Sequence, residues 1–180
     1  MIPKFDNFFL PCLKCLSDGK IYTQELLRAY VINYFKLSAE DANALIKSGK
    51  KTMVSDRVSW TVSYFLQAGL IDAPKRGTYV INDFGKKFLL EHKEGFDKSD
   101  LLQIPSFASF ATRRTDKPTA DVKPINKLNN QVEESTPTDL IDDAFRQINS
   151  ALAQDLLTKI LEMSPSFFEK LVVELLVKMG

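Results

Sequence analysis

One histidine and two cysteines are all the soft metal-binding chemistry that 180 residues offer. Structural zinc takes about four nitrogen or sulfur ligands, so Cys12, Cys15 and His92 do not complete such a site. The C-x-x-C spacing leaves half a zinc site or a redox pair open as readings. Three places apart on a helix, however, both thiols share a face with Phe8, Phe9 and Leu16, where cysteine acts as a small hydrophobe. A core pair is the expectation. No glycine-rich phosphate loop, no serine with a matching base and no metal-ligand cluster is present, so no catalytic constellation can be assembled. No run approaches the roughly 20 apolar residues that span a bilayer. The opening "MIPKFDNFFLPCLKCLSDGK" is broken by Asp6, Pro11 and Lys14 and has no small-residue cleavage site, unlike a secretory signal. A cytoplasmic protein with no membrane partner is expected. From Thr112 to Thr138 there is no aromatic residue and no hydrophobic period, which predicts a linker over 112–137.

What is present is unevenly charged. The formal net charge is +1, but between Lys47 and Lys87 eight basic residues face only Asp56, Asp72 and Asp83. From Asn130 onward the acids prevail. A basic half beside an acidic one points to nucleic acid or membrane contact at the basic end.

Apolar spacing predicts helices at Asp6–Leu16, after the cap Thr23 ("TQELLRAYVINYF"), and after Ser38, reaching Leu45 and Ile46. A longer helix runs from about Thr52 to Ala68 and stops at Gly69. On a helical wheel Val54, Val58, Thr61, Val62 and Phe65 form its core side. Asp56, Trp60, Ser63 and Gln67 lie opposite, with Arg57 and Tyr64 at the margin. "LIDAPKRGTYVIN" reads as strand, turn, strand, and Asp83 is a candidate cap for a closing helix. The apolar residues of "DLLQIPSFASFA" pad this domain, 1–111. Beyond the linker, Thr136 and Pro137 begin an amphipathic helix ending near Met163, and Ser164-Pro165 begin another.

The expected fold is mainly α with a small β-hairpin, a winged helix followed by a linker and a C-terminal helical hairpin over 138–180. In this helix-turn-helix variant one helix can enter the major groove while the wing reaches a neighbouring groove or the backbone. Lys50 and Lys51 precede the long helix, where amides and the helix dipole favour phosphate. Thr52, Ser55, Ser59 and Ser63 can donate to phosphates or base edges, and Arg57 can hold guanine or phosphate. Lys75 and Arg76 at the hairpin tip would add phosphate contacts, which position without reading sequence. The expected partner is double-stranded DNA. Winged helices also serve as protein-binding modules, and Trp60 fits either stacking on DNA or wedging against a neighbouring element.

Three stretches, "IPKFDNFFLPCLKCLSDGK", "SGKKTMVSDRVSWTVSYFLQAGLIDAPKRGTYVIND" and "LTKILEMSPSFFEKLVVELLVKMG", resemble successive parts of Mrr-type, modification-dependent (type IV) restriction endonucleases. The resemblance implies a DNA-binding winged helix, a flexible segment, and a nuclease domain of the PD-(D/E)XK fold that cleaves methylated foreign DNA with Mg²⁺. Glu169 in "FFEKLV" matches the acid that the first helix of that domain contributes. No acidic strand motif with its lysine follows within the sequence, so no cofactor and no cleavage are expected of these 180 residues. The alternative is a non-catalytic winged-helix regulator or adaptor, forming a homodimer through its C-terminal helices. The last helix is apolar around most of its circumference, and its pairing with the preceding helix is expected to leave an apolar patch.

Overall fold

A computed structural model of the chain describes residues 1–113 and 136–179. They fall into two compact units, Met1–Leu140 and Ile141–Gly180. Most of the expected linker, 112–137, lies outside the described residues.

The N-terminal unit opens with a 3₁₀ turn, Asp6–Phe8, that runs into α1, Phe9–Cys15, and closes with a second 3₁₀ turn, Leu16–Asp18. Gly19 ends it in the left-handed region at φ +74°, which costs glycine no Cβ clash. Strand β1, Tyr22–Thr23, leads into α2, Gln24–Tyr34, where the Thr23 side chain accepts from the Leu26 amide. Next come α3, Ala39–Asn43, capped by Ser38, and α4, Met53–Ala68, capped by Thr52 and stopped at Gly69. Strands β2, Ile71–Asp72, and β3, Thr78–Ile81, form the wing. The sheet order is β1-β3-β2, antiparallel throughout, with Tyr22 opposite Tyr79 and Ile71 opposite Ile81. Helix, strand, two helices and a hairpin whose returning strand pairs with the first is the winged-helix topology, as expected.

Two local expectations are corrected. The third helix stops at Asn43 because Leu45 pairs with Thr52 across an isolated bridge. Backbone bonds from Ile46 N to Lys51 O and from Met53 N to Ala44 O close a small hairpin there. The cap of α5, Asp83–Glu91, is Asn82 rather than Asp83, its Oδ1 accepting from the Gly85 amide.

The core is aromatic. Phe9 is fully buried, with ring centroids of Phe5 at 5.1 Å, Phe65 at 5.9 Å, Phe96 at 5.8 Å and Tyr64 at 6.2 Å. Each such side chain contributes about 1.5–3 kcal/mol through burial. Helices α6, Lys98–Leu102, and α7, Pro105–Arg113, bring Leu101, Ile104 and Phe107 onto the same core, Phe107 lying 5.1 Å from Tyr64. Cys12 and Cys15 are buried free thiols within it, as the helical spacing requires. Burial raises both thiol pKa values, that of Cys15 to about 11.

The second unit comprises most of α8, Pro137–Glu162, and α9, Pro165–Met179. Ser164 joins them, its Oγ accepting from the Phe167 amide at 3.4 Å. Ile141, Phe145, Ile148, Leu152, Leu156, Phe167, Phe168, Val173, Leu176 and Val177 are all exposed, and α9 has no buried residue. The two long helices stand as expected, but the apolar faces that a tight pairing would cover remain open. No described helix is long and apolar enough to cross a membrane.

Two outcomes follow from the core. A Cβ on Gly85 would sit 2.0 Å from the Leu70 carbonyl oxygen. Gly85→Ala is therefore expected to destabilise the unit by at least about 2 kcal/mol in urea unfolding. Because thiolate is the reactive form, Cys12 and Cys15 should resist Ellman's reagent at pH 8 until urea unfolds the chain. Labelling at the rate of a free thiol in the folded protein would contradict their packing.

Candidate nucleic-acid interface

The segment before α4 is built as a basic turn. The Leu45–Thr52 pairing projects Lys47, Ser48, Gly49 and Lys50 into solvent, with Gly49 at φ +72° and its amide bonded to Ile46 O at 2.8 Å. Thr52 then caps α4 by accepting from the Ser55 amide at 3.3 Å. An accepting hydroxyl keeps its own proton for another partner.

Along α4, Ser55, Ser59 and Ser63 are four residues apart and form one half-exposed strip. Ser59 is already engaged, donating to Ser55 O at 2.8 Å and accepting from the Gln24 side-chain amide. The strip is narrow because both flanks of α4 are covered. Val54, Val58, Val62 and Phe65 face the core as the wheel predicts. The opposite side is covered too: Tyr64 is buried against α7, and Asp56, placed outward by the wheel, is fully buried.

The wing tip, 73–77, is exposed throughout. Thr78 secures it, with Oγ1 accepting from Lys75 N at 3.1 Å and donating to Lys75 O at 2.9 Å. Gly77 at φ +77° completes the turn. Lys75 and Arg76 therefore project from a backbone held by its own hydrogen bonds.

Arg57 stands apart from the strip. Its guanidinium donates to the Pro3 carbonyl and lies 5.7 Å over the Phe8 ring, half-buried. Burial lowers its pKa, against the raising influence of Asp139 and Asp56. Arg57 thus pins the N-terminal segment to α4.

Asp56 is the residue sequence reasoning misplaced. Lys51 Nζ lies 2.5 Å from its Oδ1. Thr136 Oγ1 donates to Oδ2 at 2.8 Å and Thr138 Oγ1 to Oδ1 at 3.2 Å. Trp60 Nε1 in turn donates to Thr138 Oγ1 at 2.9 Å, so Trp60 is a wedge against the first turn of α8. That turn is itself a reciprocal cap, with Asp139 N bonded to Thr136 Oγ1 at 3.2 Å and Thr136 N to Asp139 Oδ2 at 3.1 Å. The motif Thr136-Pro137-Thr138-Asp139 was legible as a helix start. Its acceptor, 80 residues earlier, was not.

Glu169 is exposed on α9. Among the described residues no group of three or more His, Cys, Asp or Glu could hold a metal.

The family model of the Mrr N-terminal domain matches residues 5–91, from the start of α1's 3₁₀ turn through α5. Residues 5–91 are thus similar to Mrr N-terminal domains. The chain is also 23% identical over 185 residues to the type IV methyl-directed restriction enzyme EcoKMrr of Escherichia coli (strain K12). That alignment covers 99% of this chain and 60% of the relative's length. No solved structure matches the chain. The matched residues contain α4, the basic turn before it and the wing after it, whereas the Thr136–Asp139 turn lies outside them.

Arg57→Met removes a charged donor from the Pro3 carbonyl while keeping much of the side-chain bulk over Phe8. Hydrogen bonds from charged groups contribute about 1.5–3 kcal/mol, and a loss of that size is expected in chemical denaturation. No change in stability would mean the contact to Pro3 is not made in solution.

Proposed function

We propose that the N-terminal unit binds duplex DNA as the target-recognition part of an Mrr-like restriction endonuclease acting on modified, methylated foreign DNA. The observation that carries this reading is the placing of exposed cations on two rigid turns, Lys50 immediately before α4 and Lys75-Arg76 on the wing after it. Between them in sequence, α4 offers Thr52, Ser55, Ser59 and Ser63 as neutral donors, and Lys51 retains 40% side-chain exposure. Lysine and arginine on fixed turns supply counterion release, and hydroxyls on a helix supply shorter-range contacts. The match to the Mrr N-terminal domain and the methyl-directed relative support the choice of DNA over another polyanion. Arg57 takes part indirectly, by holding α4 in place. Glu169 is the family-matched acid of the nuclease region, and one carboxylate cannot by itself hold the metal for phosphodiester hydrolysis.

The test is fluorescence anisotropy of methylated and unmodified duplexes across a salt series. Binding that weakens steeply with salt is expected, and no affinity at low salt would end the proposal. Lys75→Ala with Arg76→Ala should weaken binding about equally on every sequence and reduce the salt slope by about 2. A loss confined to one sequence would contradict phosphate contact.

The exposed apolar residues of α8 and α9 favour a second reading, an adaptor that dimerises through them. A dimer in sedimentation that disappears when residues 165–180 are deleted would support it.

A further inference from the structure

Lys51 belongs to two places at once. Its backbone lies between Lys50 and Thr52 at the N-terminal end of α4, and its ammonium reaches inward to Asp56. Asp56 is fully buried, and a buried carboxylate requires a compensating partner. Among the described residues Lys51 is the cation in contact with it; its other partners are the neutral hydroxyls of Thr136 and Thr138. The neighbouring Arg57 spends its guanidinium on Pro3 and influences Asp56 only through space. With 40% of its side chain exposed, Lys51 can also meet a group arriving from solvent.

We infer that Lys51 is shared between Asp56 and a DNA phosphate, so that duplex contact at the start of α4 loosens the seat of the Thr136–Asp139 turn. The inference rests on the duplex-binding reading above. A phosphate that draws the ammonium outward leaves Asp56 buried with hydroxyl donors alone. Breaking one side of a buried ion pair is strongly unfavourable, and the nearest relief is to let the turn lift so that water reaches the carboxylate. By linkage the effect runs both ways: the seated turn holds Lys51 away from phosphate, and phosphate at Lys51 unseats the turn. Asp56 is thereby a positioning residue. Through it, occupancy of α4 is transmitted to the start of α8, a point 80 residues further along the chain.

The protein carries its own reporter. Trp60 is the single tryptophan of the sequence, and its indole N–H is bonded to Thr138 within this network. The experiment uses the full chain and a short fluorescein-labelled duplex at low salt, reading anisotropy for binding and Trp60 emission for the seat. In the wild-type chain, saturating duplex should move Trp60 emission to longer wavelength. Asp56→Asn removes the charge that holds Lys51 while keeping the side chain's shape and an acceptor oxygen for one of the two hydroxyls. This variant should bind the duplex several-fold more tightly, with its Trp60 emission unmoved by DNA. Lys51→Gln should bind several-fold more weakly, with emission already shifted before DNA is added and constant afterwards. Should Asp56→Asn fail to fold by circular dichroism, the Lys51→Gln comparison decides alone. Wild-type binding with unchanged emission would overturn the coupling and leave the DNA-binding proposal standing. A DNA-induced shift that persists in either variant would also overturn it, since Trp60 would then be sensing DNA directly. Absence of binding at low salt would overturn the DNA-binding proposal and the coupling together.

Discussion

Helix α4 is covered along two flanks, and that constraint shapes the N-terminal unit. Its aliphatic side packs into the aromatic core around Phe9 and Phe65, while Asp56, Trp60 and Tyr64 on the other side are covered by the α8 turn and α7. A helix with two buried flanks has little surface left to offer. What remains is the serine strip with the Thr52 cap at its head, short polar side chains that leave the helix backbone approachable. Charge for a polyanion must then come from the turns at either end of α4, where lysine and arginine need no packing surface of their own.

The same double burial explains why so much polar chemistry is found on α4. A carboxylate cannot be taken into the interior without donors, and Asp56 collects an ammonium and two hydroxyls from elements far apart in sequence. Such a network adds less to net stability than to specificity of placement, since only one arrangement satisfies every member. It positions the start of α8 by directional bonds, whereas the aromatic core positions α1, α2 and α7 by shape and area. Directional bonds to an edge cation are the more readily exchanged, because a competitor need replace only one partner.

The second unit presents the opposite balance. Helices α8 and α9 carry long, exposed apolar side chains with few polar contacts. Their free energy lies in surface not yet removed from water, and each such side chain is worth about 1.5–3 kcal/mol when fully buried. The N-terminal unit, by comparison, has already buried most of its phenylalanines and caps α2 through α6 with side chains.

Much of this architecture was written in local patterns. Thr52 and Gly69 bounded α4, Gly19 ended the first helical segment, the Lys75-Arg76-Gly77 turn marked the wing, and Thr136-Pro137 announced α8, because caps, turns and glycines act within a few residues of themselves. The buried thiols followed from helical spacing for the same reason. Only the tertiary structure decided what the second flank of α4 touches. A helical wheel sorts residues by one core, and it placed Asp56 outward because nothing near it in sequence marks the approach of Thr136 and Thr138. Arg57 was equally ambiguous until the N-terminal segment crossed it. The short α3 likewise reflects a backbone pairing of Leu45 with Thr52 that competes with helix and carries no side-chain signature. Local propensity thus determined where elements begin and end, while long-range hydrogen bonding and burial determined which polar residues remain available to a ligand.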